Sequence, residues 1–374
     1  MQIAIDKIDK NTFRRFIKRW FDVFDGTLAL LIFLIMSVGL ITLYSASIDF
    51  PGRMQGQLRN IMVAFVVMWI AASIPPQTLM RFAVPIYSLG VALLLAVFAF
   101  GMVKKGARRW LNVGIVIQPS EIMKIAMPMM LAWFFQKREG ILGWKEYLIA
   151  VLLLAIPVAL IVKQPDLGTA LLVLGTGFYV IFLAGLSWKT ILGLIIAAGA
   201  SMPLVWSVLH DYQRQRIMTL LDPSTDPLGK GFHIIQPTIA VGSGGIIGKG
   251  WMKGTQGHLH FIPERTTDFI FAVYSEEFGL IGNLVLMVLY LLLIGRGLMI
   301  AARAPTFFTR LLAGAISLMF FNYAFVNMGM VSGILPVVGV PLPFMSYGGT
   351  ALVTLGLGAG ILMSINRHRK LVQT

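Results

Sequence analysis

The chain has 374 residues, of which 57% are apolar and only 13% charged, with a formal net charge of +15 and no cysteine. A soluble domain carries roughly 25% charged residues, so there are too few ionisable side chains to cover a globule of this size. The mean hydropathy of +0.81 accordingly places the protein in a membrane. The lack of cysteine excludes disulfides, thiolate metal sites, iron–sulfur clusters and cysteine nucleophiles. In this setting the positive charge answers anionic head groups and the topology rules, not nucleic acid.

Residues 1–26 form a basic leader. Lys7, Lys10, Arg14, Arg15, Lys18 and Arg19 are interleaved with Phe13, Ile17, Trp20, Phe21 and Phe24 at helical spacing, a pattern suited to an interfacial helix. No small-residue cleavage site follows, so a removed signal peptide is not expected. Apolar runs then recur near 27–48, 57–74, 78–101, 120–136, 146–163, 168–186, 189–209, 268–295, 308–331 and 348–365. At about 20 residues per span, they predict an all-α polytopic membrane protein of about ten transmembrane helices. One membrane domain is expected over 27–366, followed by a tail at 367–374. The runs are apolar on every face, which excludes β-barrel strands. Pro75 and Pro76 mark the stop between the second and third spans. No internal repeat is visible, so an inverted-repeat transporter gains no support.

With ten spans, the leader shares one side with Arg81, Lys137, Arg138, Lys145, Lys189, Arg296, Arg303, Arg310, Arg367, Arg369 and Lys370. These make up more than half of the 31 lysines and arginines. The positive-inside rule therefore predicts that both termini are cytoplasmic. On the outer side, Lys104, Lys105, Arg108 and Arg109 crowd one short loop, while Lys124 and Lys163 sit at span ends. Either this face binds an anion or the charges snorkel to the head groups.

Between spans seven and eight lies a large outer loop, 210–267, too long for a passive connector. Its Phe232–Val241 stretch is apolar enough to lie on the bilayer. The glycines of GSGGIIGKG would let a ligand approach the backbone closely, although Walker A spacing is lacking. His258 and His260 have no further ligand beside them, so a metal is not expected there.

Several acids stand at span ends. Asp268 is either a helix cap or first-turn carboxylate, or a general base at the membrane boundary. On a continuous helix Glu276 and Glu277 would lie about 12–14 Å below it. They cannot both face one cavity, and at least one is expected to partner a buried donor. Glu121 and Lys124 are helix neighbours, forming either a self-neutralising pair or part of a site. Asp166 after Pro165 repeats the choice between cap and functional acid. The last outer loop contains Pro336, Pro341 and Pro343, so its irregular backbone must line a cavity or be buried. Ser346 is placed to cap span ten.

ARRWLNVGIVIQPSEIMK, KQPDLGTALL, DPLGKGFHIIQPTIAVGSGGIIGKGWMKGTQ, FIPERTTDFIFAVYSEEFGL and NMGMVSGILPVVGVPLPFMSYGG occur in this order across residues 27 to 370. Together they closely resemble the SEDS family (shape, elongation, division and sporulation), most nearly its elongation type. The resemblance implies a ten-helix peptidoglycan glycosyltransferase of the bacterial inner membrane that polymerises lipid II. It also implies a class B penicillin-binding protein as transpeptidase partner and further elongation-complex proteins. The family's essential aspartate maps to Asp268, the base for the acceptor hydroxyl. Arg108, Arg109 and Lys124, or a divalent cation, would stabilise the leaving diphosphate. Glu121, Lys163, Asp166 and Glu276 are expected to complete the substrate-binding set. A lipid II flippase is the alternative activity, and a non-catalytic scaffold a third.

Overall fold

A computed structural model describes residues 23–369 apart from 105–106, 113, 115, 141, 210, 227–228, 230 and 260. The leader up to residue 22, Lys105, His260 and Lys370 thus lie outside the described residues.

Each expected apolar run is a helix. They are α1 Gly26–Ala46, α2 Arg53–Ser73, α3 Pro76–Phe100, α4 Pro119–Gln136, α5 Trp144–Lys163, α6 Leu167–Leu183 and α7 Trp188–Val208. Inside the long loop come α8 Asp211–Leu221, a 3₁₀ turn at Pro223–Thr225, α9 Phe232–Ser243 and the single turn α10 Thr255–His258. The chain ends with α11 Ile270–Ala302, α12 Phe307–Val331 and α13 Gly349–Arg369. Among the described residues α1, α2, α3, α5, α11, α12 and α13, seven helices, are long and apolar enough to cross a membrane.

Local chemistry sets the ends. Asp25 caps α1 by accepting from Leu28 N at 2.8 Å, and Pro76 and Pro119 fill first-turn positions of α3 and α4, where a missing N–H costs nothing. The bundle is centred on α12 and α4. Helix α12 packs on α11, α6 and α4, and α13 lies along α2. That last contact is close because of glycine. A methyl group on Gly360 would fall 2.4 Å from Met68 O, and one on Gly356 2.9 Å from Ala64 O.

The structure departs from the expected architecture in two places. The all-α expectation misses a small antiparallel sheet in the short basic loop, β1 Met102–Lys104, β2 Ala107–Asn112 and β3 Val116–Ile117. The pairs Val103↔Arg108 and Leu111↔Ile117 fix its register. Hydrogen-bonding the backbone to itself satisfies a short crossing segment that has no helix to join.

The second departure is in span eight. Helix α11 is broken at Gly279 (φ 64°, ψ −161°), giving a short segment at 270–278 and a long one at 280–302. The glycine-rich stretch of the long loop splices the break. Lys249 N and Gly250 N donate to Glu276 O and Glu277 O, both at 3.0 Å. Leu280 N and Ile281 N donate to Gly245 O and Ile246 O at 2.9 and 3.1 Å. A side chain at Gly248 would place Cβ 2.2 Å from Glu277 O. These glycines therefore serve backbone-to-backbone approach within the protein.

Candidate active site

Four segments meet at one end of the bundle: the first turns of α4 and α6, the turn before α11, and the proline-rich segment between α12 and α13. Asp268 sits two residues before α11 and does not cap it. The N-cap residue is Phe269, with no side-chain cap. Half-buried, the Asp268 carboxylate faces Gly339. A methyl there would lie 3.3 Å from Oδ2, and the glycine's φ of +72° disfavours any side chain.

The proline-rich segment crosses between two acids. On one side Gly339 meets Asp268. On the other, a methyl on Gly168, two residues beyond Asp166, would fall 2.5 Å from Val338 O. Asp166 caps α6 through Thr169 N at 3.3 Å. It also accepts from Gln118 Nε2 at 2.9 Å and pairs with the Arg109 guanidinium at 3.5 Å. The small sheet thus brings Arg109 to the α6 terminus. Arg108 and Lys163 are exposed at this end, and Arg108 donates to Phe98 O at 2.9 Å.

Glu121 and Lys124 lie deeper and form a tight pair at 2.6 Å. The Lys124 side chain is only 2% exposed. Its Nζ lies 5.0 Å from the centroid of the Tyr323 ring, and Thr354 Oγ1 donates to Glu121 at 3.1 Å. The pair bridges α4, α12 and α13.

Glu276 is engaged by the long loop. Lys249 Nζ donates to it at 2.7 Å, as do Thr255 N at 2.8 Å, Gln256 N at 3.0 Å and Gly257 N at 3.3 Å. It therefore holds the start of α10 against α11. Glu277 accepts from Ser45 Oγ of α1. Arg265, three residues before Asp268, is buried. It donates to Ala46 O at 2.8 Å and Asp49 Oδ2 at 2.6 Å, tying the Asp268 turn to the end of α1. Ser346 does not cap α13; its Oγ accepts from Leu342 N at 2.8 Å, closing a turn of the proline-rich segment. Among the described residues no three His, Asp or Glu side chains gather as a metal cage.

An apolar groove of 1480 Å³ runs between α5, α6 and α12, lined by residues including Val151, Leu171, Gly175, Phe178, Phe325 and Val338. Gly168 and Val338, which line the groove, are near neighbours in the chain of Asp166 and Gly339, so the groove and the acid cluster adjoin. Sequence reading missed this groove. Its lining combines the consecutive helices α5 and α6 with α12, more than a hundred residues further on, so no single motif announces it.

A polytopic helical bundle with carboxylates and cations at one end, beside an apolar groove, defines a membrane protein whose charged end and apolar groove have the chemistry an amphiphilic anion would require. The family model described as "Cell cycle protein", which groups FtsW, RodA and SpoVE, matches residues 26–371, and the chain belongs to this family. It is 51% identical to the peptidoglycan glycosyltransferase MrdB of Escherichia coli K12 over 350 residues, 93% of this chain and 95% of that protein. Its fold is similar to a chain of a peptidoglycan synthase complex that coordinates polymerisation and crosslinking. The TM-score is 0.81 and the identity 34%, over 92% of this chain and 98% of that one. Rod shape determining protein RodA of Thermus thermophilus matches with a TM-score of 0.70 and 29% identity, over 92% and 97%.

Proposed function

We infer that this chain is a peptidoglycan glycosyltransferase of the bacterial inner membrane. It joins lipid II into β-1,4 glycan strands during elongation, beside a class B penicillin-binding protein and other elongation-complex proteins. The observation that carries this reading is the half-buried Asp268 carboxylate facing Gly339, the neighbour in the chain of Val338, which lines the apolar groove. In the full reading all ten apolar helices span, both termini are cytoplasmic, 210–267 is the large extracytoplasmic loop, and 27–366 is one domain.

The chemistry follows in one displacement. The acceptor 4-hydroxyl passes its proton to Asp268 as its oxygen attacks the anomeric carbon. The bond to the diphosphate breaks, and its electron pair leaves with the diphosphate. Arg108, Arg109 and Lys163 are exposed or half-exposed cations at this end that can meet that charge. Lys124, buried on Glu121, acts through its field. Asp166 orients Arg109, and Glu276 contributes by holding the α10 segment. The groove takes the lipid chain of the donor.

The test supplies labelled lipid II to the purified protein with its partner. Asp268→Asn should abolish polymer while complex formation persists. Because Phe269 occupies the cap position, lost capping cannot account for that result. Normal polymerisation by the Asn variant would refute the base assignment. Movement of lipid II between leaflets without polymer would favour the flippase.

A further inference from the structure

We propose that Asn327 is a positioning residue for the glycosyl transfer, setting the Asp268 carboxylate against the proline-rich segment. This rests on Asp268 being the base.

Asn327 lies near the end of α12 and is fully buried. Its Nδ2 donates to Asp268 O at 2.8 Å and to Val340 O at 2.6 Å. One amide group, rigid and planar, thereby fixes the backbone of the base and the backbone next to Gly339, the residue its carboxylate faces. The orientation of the amide is not arbitrary. Turning it over would aim Oδ1 at two carbonyl oxygens, with no hydrogen between them. The Asp268 carbonyl has no place in the α11 ladder, where the first bond runs from Ala272 N to Phe269 O. Without Asn327 both carbonyls would lose this shared donor, and with it the bridge between the two segments.

Hydrogen bonds from Arg53 to Thr266 at 3.1 Å and from Tyr347 N to Thr266 O at 2.9 Å brace the other flank of the same turn. Asn327 by contrast reaches Asp268 itself. A displaced base costs rate more than affinity, because lipid II is held by the groove and the cations while the proton transfer needs close geometry. Nothing in the spacing of NMGMVSGILP announces this role; it appears only when α12 is packed beside both loops.

The experiment uses the full chain in complex with its partner and labelled lipid II. Asn327→Leu keeps the number of side-chain heavy atoms and removes both donors, and Asn327→Asp keeps the shape but turns an oxygen on both carbonyls. Both should lower kcat by about 10²-fold with KM within about twofold. The acid limb of the kcat–pH profile should move as well, since the environment of the base changes. Misfolding of a fraction of the protein would lower the amplitude of that profile without moving the limb. Wild-type kcat in both variants, or a fall in kcat with the limb unmoved, overturns the proposal. Asp268→Asn is run in parallel. Activity in that variant defeats the reading of the base, whereas an inactive Asp268→Asn beside a normal Asn327→Leu defeats only this inference.

Discussion

Glu121→Gln offers a direct measure of what the buried pair does. Lys124 is 2% exposed and its Nζ lies 2.6 Å from Glu121 Oε1. Removing the carboxylate charge strands an ammonium in the bundle, which costs about 3–5 kcal/mol. The Tyr323 ring, 5.0 Å from Nζ, meets the ammonium in parent and variant alike and so leaves that loss unchanged. A loss of roughly 3–5 kcal/mol is therefore expected. Lys124→Met alone leaves Glu121 charged beside Thr354, with a loss of the same order. The double variant Glu121→Gln/Lys124→Met has no charge to strand and should recover most of the stability, giving a coupling energy of at least about 2 kcal/mol. Unfolding of the detergent-solubilised protein, followed by tryptophan fluorescence for all four proteins, supplies the cycle. If the double variant loses the sum of the two single losses, the pair is not coupled and the argument fails.

The glycine splice and the groove give two more tests. Gly248→Ala puts a Cβ 2.2 Å from Glu277 O at a φ of +88°, so the 244–257 segment should lift from α11. Faster hydrogen exchange and proteolysis there are expected together with lost polymerisation, and exchange matching the parent would contradict the splice. Leu171→Trp narrows the groove from a half-exposed position. It should raise KM for long-chain lipid II about tenfold, roughly 1.4 kcal/mol, while a short-chain analogue reacts unchanged. Equal effects on both substrates would place the lipid chain elsewhere.

The positions of the helices were readable because burial in lipid demands long apolar runs. The run near 146–163, for example, is Trp144–Lys163 in the structure. The pairing of Glu121 with Lys124 was readable from their spacing of three. Two things were not. The break at Gly279 leaves no mark in an apolar pattern, because SEEFGLIGN reads as an ordinary helix interior and the residues that satisfy it lie some thirty positions upstream. The cluster around Asp268 was visible only as separate motifs. Their meeting depends on Gly168 and Gly339 letting one strand of backbone pass between two helix ends, and the role of Asn327 depends on the same packing. Glu276 was expected among substrate contacts, yet its carboxylate is occupied by Lys249 and the α10 amides, a partnership between segments about twenty residues apart.

The break in α11 also bears on the order of assembly. The 280–302 segment can insert as a self-sufficient helix, but 270–278 depends on Gly245, Ile246, Lys249 and Gly250 to complete its hydrogen bonding. Those partners belong to the loop between α7 and α11, so the loop and the 270–278 segment complete each other and must settle together. Asp268 stands two residues before that segment, and a chain whose loop has not docked would hold a bundle with this end unfinished.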